Sequence, residues 1–161
     1  FKLKDNISLI SGTFGKAFGS GGAFLAADKE IGESLIQNSG CFRYTTALAP
    51  PLAAAAFEAL NIIKANPKWG ENLQRRSLEW RSALKENGWS YPKGNGPIIS
   101  LLLGSDQKAL NYQNQLEEKG LLSIAIRPPT VPEGKSRLRI VVRKGLPKGT
   151  LEKFLDAVGK P

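Results

Sequence analysis

Gly12-Thr13-Phe14-Gly15-Lys16-Ala17-Phe18-Gly19-Ser20-Gly21-Gly22 places five glycines in eleven residues. Glycine lets the backbone turn left-handed and approach other groups closely, so this stretch predicts a tight bend. Before it, the apolar β-branched run Ile7 to Ile10 predicts a buried strand that stops at Ser11 and Gly12; after it, Ala23 to Ala26 predicts a second strand. A lysine in such a bend, between Phe14 and Phe18, is an unusual surface charge. Shielding from water would favour its neutral amine, the form that makes a Schiff base with a carbonyl compound. Thr13 adds a hydroxyl beside backbone N–H groups, a cradle suited to a phosphate. The same residues also fit a glycine-rich turn bearing a solvated lysine. A nucleotide P-loop is excluded by spacing, because it needs four residues between its first glycine and Gly-Lys, then Ser or Thr. Here two residues separate Gly12 from Gly15, and Ala17 follows Lys16.

Outward from the bend, Asp28 can cap a helix carrying Ile31, Leu35 and Ile36 that fades near Asn38 to Gly40. Phe42-Arg43-Tyr44-Thr45-Thr46 follows, and Pro50 and Pro51 can open an Ala- and Leu-rich helix through Ala65. Asn66-Pro67 ends it, and a domain boundary is expected near residue 66. Beyond that, Leu73, Trp80 and Leu84 mark the apolar face of a helix whose other face holds Arg75, Arg76, Glu79, Arg81 and Lys85. The remainder predicts strand Pro97 to Leu103, helix Asp106 to Lys119, strands Leu121 to Ile126 and Arg137 to Val142, and helix Lys148 to Val158, a small α+β layer.

The chain has 161 residues, 41% of them hydrophobic, enough to bury a core without disulfides or metal. Cys41 is the only cysteine, which forbids an internal disulfide and a multi-thiolate zinc site; it is expected to be small and semi-buried. There is no His, so the commonest general base is absent. No apolar run reaches the roughly 20 residues of a membrane-spanning helix, and a soluble cytoplasmic protein is expected, without metal. The formal charge of +9 points to anionic partners. Basic residues are scattered over all segments, which argues against a nucleic-acid-binding module, the reading from a different class. Trp69, Trp80 and Trp89 fit packing anchors better than a base-stacking surface.

Three segments carry a resemblance. Thr13-Phe14-Gly15-Lys16-Ala17-Phe18-Gly19, followed by Gly22, resembles the lysine segment of the α-oxoamine synthases, pyridoxal-phosphate enzymes of the aspartate aminotransferase fold. Tyr44-Thr45-Thr46-Ala47-Leu48-Ala49-Pro50-Pro51 resembles the family's segment that reaches the cofactor phosphate of the neighbouring subunit. Ile126-Arg127-Pro128-Pro129-Thr130-Val131-Pro132-Glu133-Gly134 resembles the one that brings an arginine to the substrate carboxylate. Taken alone, Thr45 and Thr46 also suit a helix cap or a β-favouring pair, Arg127 suits a surface arginine in a rigid turn, and Arg137 and Arg139 suit the solvated face of a strand.

The resemblance implies an α/β chain: the carboxyl-terminal part of a fold type I, pyridoxal-phosphate-dependent transferase. Residues 1–66 would end the cofactor-binding large domain and residues 67–161 would form a small α+β domain. It implies that Lys16 holds the cofactor and moves the substrate's α-proton, that Thr13 holds the phosphate, and that Thr45 and Thr46 serve the phosphate of a homodimeric partner. Arg127 would bind the amino-acid carboxylate. Arg-Pro-Pro-Thr-Val-Pro points to the branch that condenses L-alanine with a pimeloyl thioester in biotin biosynthesis; acetylation of glycine, 5-aminolevulinate synthesis and acylation of serine by a palmitoyl thioester are sister activities. The family's ring-stacking His and pyridine-facing Asp lie before the lysine, and Asp5 is too near Lys16 to be that aspartate. The expectation is therefore half of a longer enzyme, inactive alone. Many members have His-Thr after the last strand, where this chain has Val142-Arg143-Lys144-Gly145.

Overall fold

The computed structural model describes residues 7–161, so Asp5 lies outside the described residues. The chain divides into two compact units, one ending at Pro67 and one running from Lys68 to Pro161. In the first, β1 (Leu9–Thr13) and β2 (Ala23–Ala27) form an antiparallel pair from Leu9 opposite Ala27 to Thr13 opposite Ala23. Helices α1 (Lys29–Asn38), α2 (Gly40–Arg43) and α3 (Pro50–Ala65) follow. Pro50 and Pro51 occupy the first turn of α3, where a missing N–H breaks no intrahelical bond. Asp28 precedes α1 as expected, but its side chain makes no capping hydrogen bond.

The first strand corrects the sequence reading twice. It begins later than Ile7 and runs through Ser11 and Gly12 to Thr13, and its residues are mostly exposed rather than buried. The extension follows from Gly12. A Cβ there would stand 2.5 Å from the Phe24 ring, so the bare backbone is what lets that ring lie across β1. Among the described residues no second layer covers the hairpin, and Ala56 is the only buried residue of this unit.

The second unit has a core. Its antiparallel sheet has the order β3 (Ile98–Gly104), β5 (Ser136–Val141), β4 (Ile124–Ile126), with α4 (Trp69–Glu86), α5 (Asp106–Glu118) and α6 (Thr150–Val158). Strand alternation turns Ile99, Leu101, Leu138 and Ile140 inward, and leaves Arg137 half-buried and Arg139 exposed. Leu84 of α4 and Leu116 of α5 are fully enclosed against them. Each such side chain contributes roughly 1.5–3 kcal/mol by leaving water. Trp80 stacks on Phe154 at 5.2 Å, and Trp89 meets Tyr112 edge-on while its indole N–H donates to the Gly159 carbonyl at 2.8 Å. Trp69 is half-buried and carries the Lys144 ammonium 3.4 Å from its ring centroid. These tryptophans do pack.

Two further expectations change here. Arg81, placed on the solvated face of α4, is fully buried. Ser77, Trp80, Arg81 and Leu84 share the buried stripe, and the guanidinium donates to the carbonyls of Pro92 (3.2 Å), Ile98 (2.9 Å) and Ser77 (3.1 Å) and to the Ser77 hydroxyl. Carbonyls of α4, of the segment after it and of the start of β3 thus satisfy it. Strand β4 begins at Ile124 rather than Leu121 because residues before it reverse the chain: Gly120 adopts φ +70°, and the Leu121 N–H donates back to Leu116 at 2.8 Å.

Candidate functional site

The loop joining β1 to β2 carries the candidate amine. Its backbone closes on itself: Phe14 N–H donates to the Gly22 carbonyl, Ser20 N–H to Phe14, and Gly19 N–H to Lys16, each at 2.9 Å. Gly19 (φ +58°) and Gly22 (φ +88°) supply the left-handed turns that L side chains rarely adopt. Phe14 holds the loop from inside, edge-on to Phe18 at 5.3 Å and tilted on Phe24 at 5.6 Å. Because those rings pack on one another, they do not enclose Lys16, which is exposed. The shielded amine expected from the sequence is not supplied by the described residues. What the loop does supply is a fixed backbone under Lys16, with Thr13, also exposed, at the end of β1.

Thr45 and Thr46 lie in the irregular segment between α2 and α3, both exposed. That segment and the glycine loop are joined within the unit. The Ser20 hydroxyl donates to the Leu52 carbonyl at 2.7 Å. A Cβ on Gly21 would come 3.2 Å from Leu52, and one on Gly22 would come 3.0 Å from Leu48. The loop that carries Lys16 is thus tied to Leu48 and Leu52, which follow Thr46 by two and six residues. Ser20 was missed by sequence reasoning, although it is the one serine inside the glycine tract. Cys41, expected to be semi-buried, is exposed on the short helix α2.

Arg127 belongs to the second unit, directly after β4, and is exposed. Its carbonyl accepts the Thr130 N–H at 3.0 Å across the Pro128–Pro129 pair, whose peptide bond is cis. A guanidinium anchored in such a turn is free to make a bidentate pair with a carboxylate. The cleft of about 660 Å³ in this unit, walled by Leu121, Leu146 and Phe154, contains none of the predicted residues. Among the described residues no helix is long and apolar enough to cross a membrane.

A primary amine on a rigid loop beside a threonine hydroxyl is a donor set suited to an aldehyde that carries a phosphate. Comparison with known proteins agrees with that chemistry. The family model described as Aminotransferase class I and II matches residues 1–158. The chain is 37% identical over 156 residues to an 8-amino-7-oxononanoate synthase from Ectopseudomonas mendocina, covering 97% of this chain and 40% of that protein. A Sphingomonas wittichii serine palmitoyltransferase structure superposes with a TM-score of 0.87 at 22% identity, covering 97% of this chain and 40% of the other. An 8-amino-7-oxononanoate synthase structure from Francisella tularensis superposes with a TM-score of 0.81 at 24% identity, covering 94% and 44%. At such identities the structures speak for the fold alone. The chain spans about two fifths of the length of the curated relatives it matches.

Proposed function

This chain belongs to the aminotransferase class I and II family, and on that premise we propose that it is the carboxyl-terminal part of an 8-amino-7-oxononanoate synthase, a pyridoxal-phosphate-dependent acyltransferase of biotin biosynthesis. In this reading the whole enzyme is a cytoplasmic homodimer that condenses L-alanine with a pimeloyl thioester, releasing carbon dioxide and the thiol carrier. Residues 1–66 end the large domain and residues 67–161 form the small one. The observation that carries the reading is the self-closed glycine loop that presents Lys16, tied to the first turn of α3 by the Ser20–Leu52 hydrogen bond. Identity of 37% over nearly the whole chain to a synthase of that name supports it.

Pyridoxal phosphate, when bound, supplies an electron sink for the charge that develops on the amino acid's α-carbon. The chain's own residues do the rest. Lys16 Nζ would hold the cofactor and, as a free amine, would take the α-proton as a general base. Thr13 Oγ1 binds the phosphate, and Thr45 and Thr46 reach the phosphate in the partner subunit. Arg127 pairs with the substrate carboxylate through two parallel N–H donors and so fixes the α-carbon's orientation. Water exclusion around Lys16, absent from the described residues, falls to the remaining three fifths of a full-length relative.

A second reading, acylation of serine by a palmitoyl thioester, takes its substrates from the name of the Sphingomonas wittichii enzyme whose fold this chain shares. Alanine with a pimeloyl thioester should outpace serine or glycine with palmitoyl or acetyl thioesters. In the full-length protein that carries this chain, Lys16→Ala should reduce turnover at least about a thousandfold. Retained turnover would refute the role of Lys16. Arg127→Ala should raise the KM for alanine more than it lowers kcat, and an unchanged alanine response would remove that arginine from the site.

A further inference from the structure

The loop that presents Lys16 has two ways to keep its shape. One is internal, in the 2.9 Å bonds from Phe14 N–H to Gly22 and from Ser20 N–H to Phe14. The other is a side-chain hydrogen bond that reaches outside the loop. Ser20 is half-buried, and its hydroxyl donates to the carbonyl of Leu52, thirty-two residues away in the first turn of α3, at 2.7 Å. The contact is framed by two glycines where a side chain would crowd a leucine. Gly21 faces Leu52 and Gly22 faces Leu48, with 3.2 Å and 3.0 Å available to an added Cβ. Leu48 and Leu52 bracket Ala49-Pro50-Pro51, the rigid entry to α3, and Leu48 follows Thr46 by two residues.

We propose that Ser20 is a positioning residue: its hydrogen bond to Leu52 sets the placement of the Lys16 loop relative to Thr45 and Thr46. The inference rests on the function proposed above. In a homodimer of that kind Lys16 serves one subunit's cofactor, whereas Thr45 and Thr46 serve the phosphate in the other. The Ser20–Leu52 bond therefore links the two cofactor sites through one chain, and a shift at either end is felt at the other. Leu48 and Leu52 supply packing against the glycines. Ser20 supplies the directional bond that fixes register, since a hydroxyl-to-carbonyl bond tolerates little displacement.

The test compares Ser20→Ala and Ser20→Thr with the unsubstituted full-length protein. Amide hydrogen exchange reads the link without any cofactor. Ser20→Ala should speed exchange about three- to tenfold both in residues 13–22 and in residues 46–56, the worth of one hydrogen bond, and Ser20→Thr should restore both segments together. With pyridoxal phosphate added, Ser20→Ala should weaken its equilibrium binding by a similar factor and move the pH midpoint of the bound chromophore's absorbance. Exchange that rises in the loop alone, or a threonine variant that behaves like the alanine one, overturns the positioning role. If the unsubstituted protein attaches no pyridoxal phosphate at Lys16, the proposed function fails with it. If it does and Ser20→Ala changes nothing, only the present inference fails.

Discussion

From Lys68 onward, Leu84, Ile99, Leu116 and Leu138 are sealed from water, whereas in the unit ending at Pro67 the side chains of Ile10, Ile36, Phe42 and Phe57 remain exposed. Both units are rich in regular structure. They hold it differently: the later one by packing apolar side chains between a sheet and three helices, the earlier one by backbone bonds, glycine geometry and the Ser20–Leu52 link. The difference teaches that the candidate lysine sits in the unit whose described residues bury little of their own apolar surface. The unit with its own core contributes an arginine on a turn.

The strongest way to break this comparison is to separate the units. Residues 68–161 produced alone should unfold in one cooperative transition by circular dichroism, and residues 1–67 alone should show none. Two cooperative transitions would contradict the contrast. Within the cored unit, Leu84→Ala should lose about 2–5 kcal/mol in a urea titration, because it empties a fully enclosed site. Arg81→Leu should lose about 2–6 kcal/mol, since the carbonyls of Pro92 and Ile98 give up their donor at about 1–3 kcal/mol for each acceptor left unsatisfied. In the open unit, Phe57→Ala should change stability by no more than about 0.5 kcal/mol, because that ring is 66% exposed. A larger loss at Phe57 would mean that the open surface is already covered.

How far the sequence alone led can be argued from particular residues. Period-2 alternation around Leu138 and Ile140 and the proline pair before α3 were legible because each states its own local geometry. Arg81 was not, because a charged side chain argues for solvent until its neighbours are known. The stripe of Ser77, Trp80 and Leu84 at helical spacing was the signal that it lay inside. The reading of Lys16, Thr13, Thr45, Thr46 and Arg127 rests on motifs that are local in the sequence, and their roles are those proposed above. Its shielding was not, since burial belongs to surfaces that the lysine segment does not encode. Ser20 shows the same limit: a serine in a glycine tract says nothing of Leu52 until the chain has folded.

The most direct test of the account is chemical mapping of the lysine. The full-length protein, incubated with pyridoxal phosphate and reduced with borohydride, should yield after proteolysis one modified peptide, with the pyridoxyl group on Lys16. Modification spread over many exposed lysines, or absent from the peptide spanning Thr13 to Gly22, would contradict it.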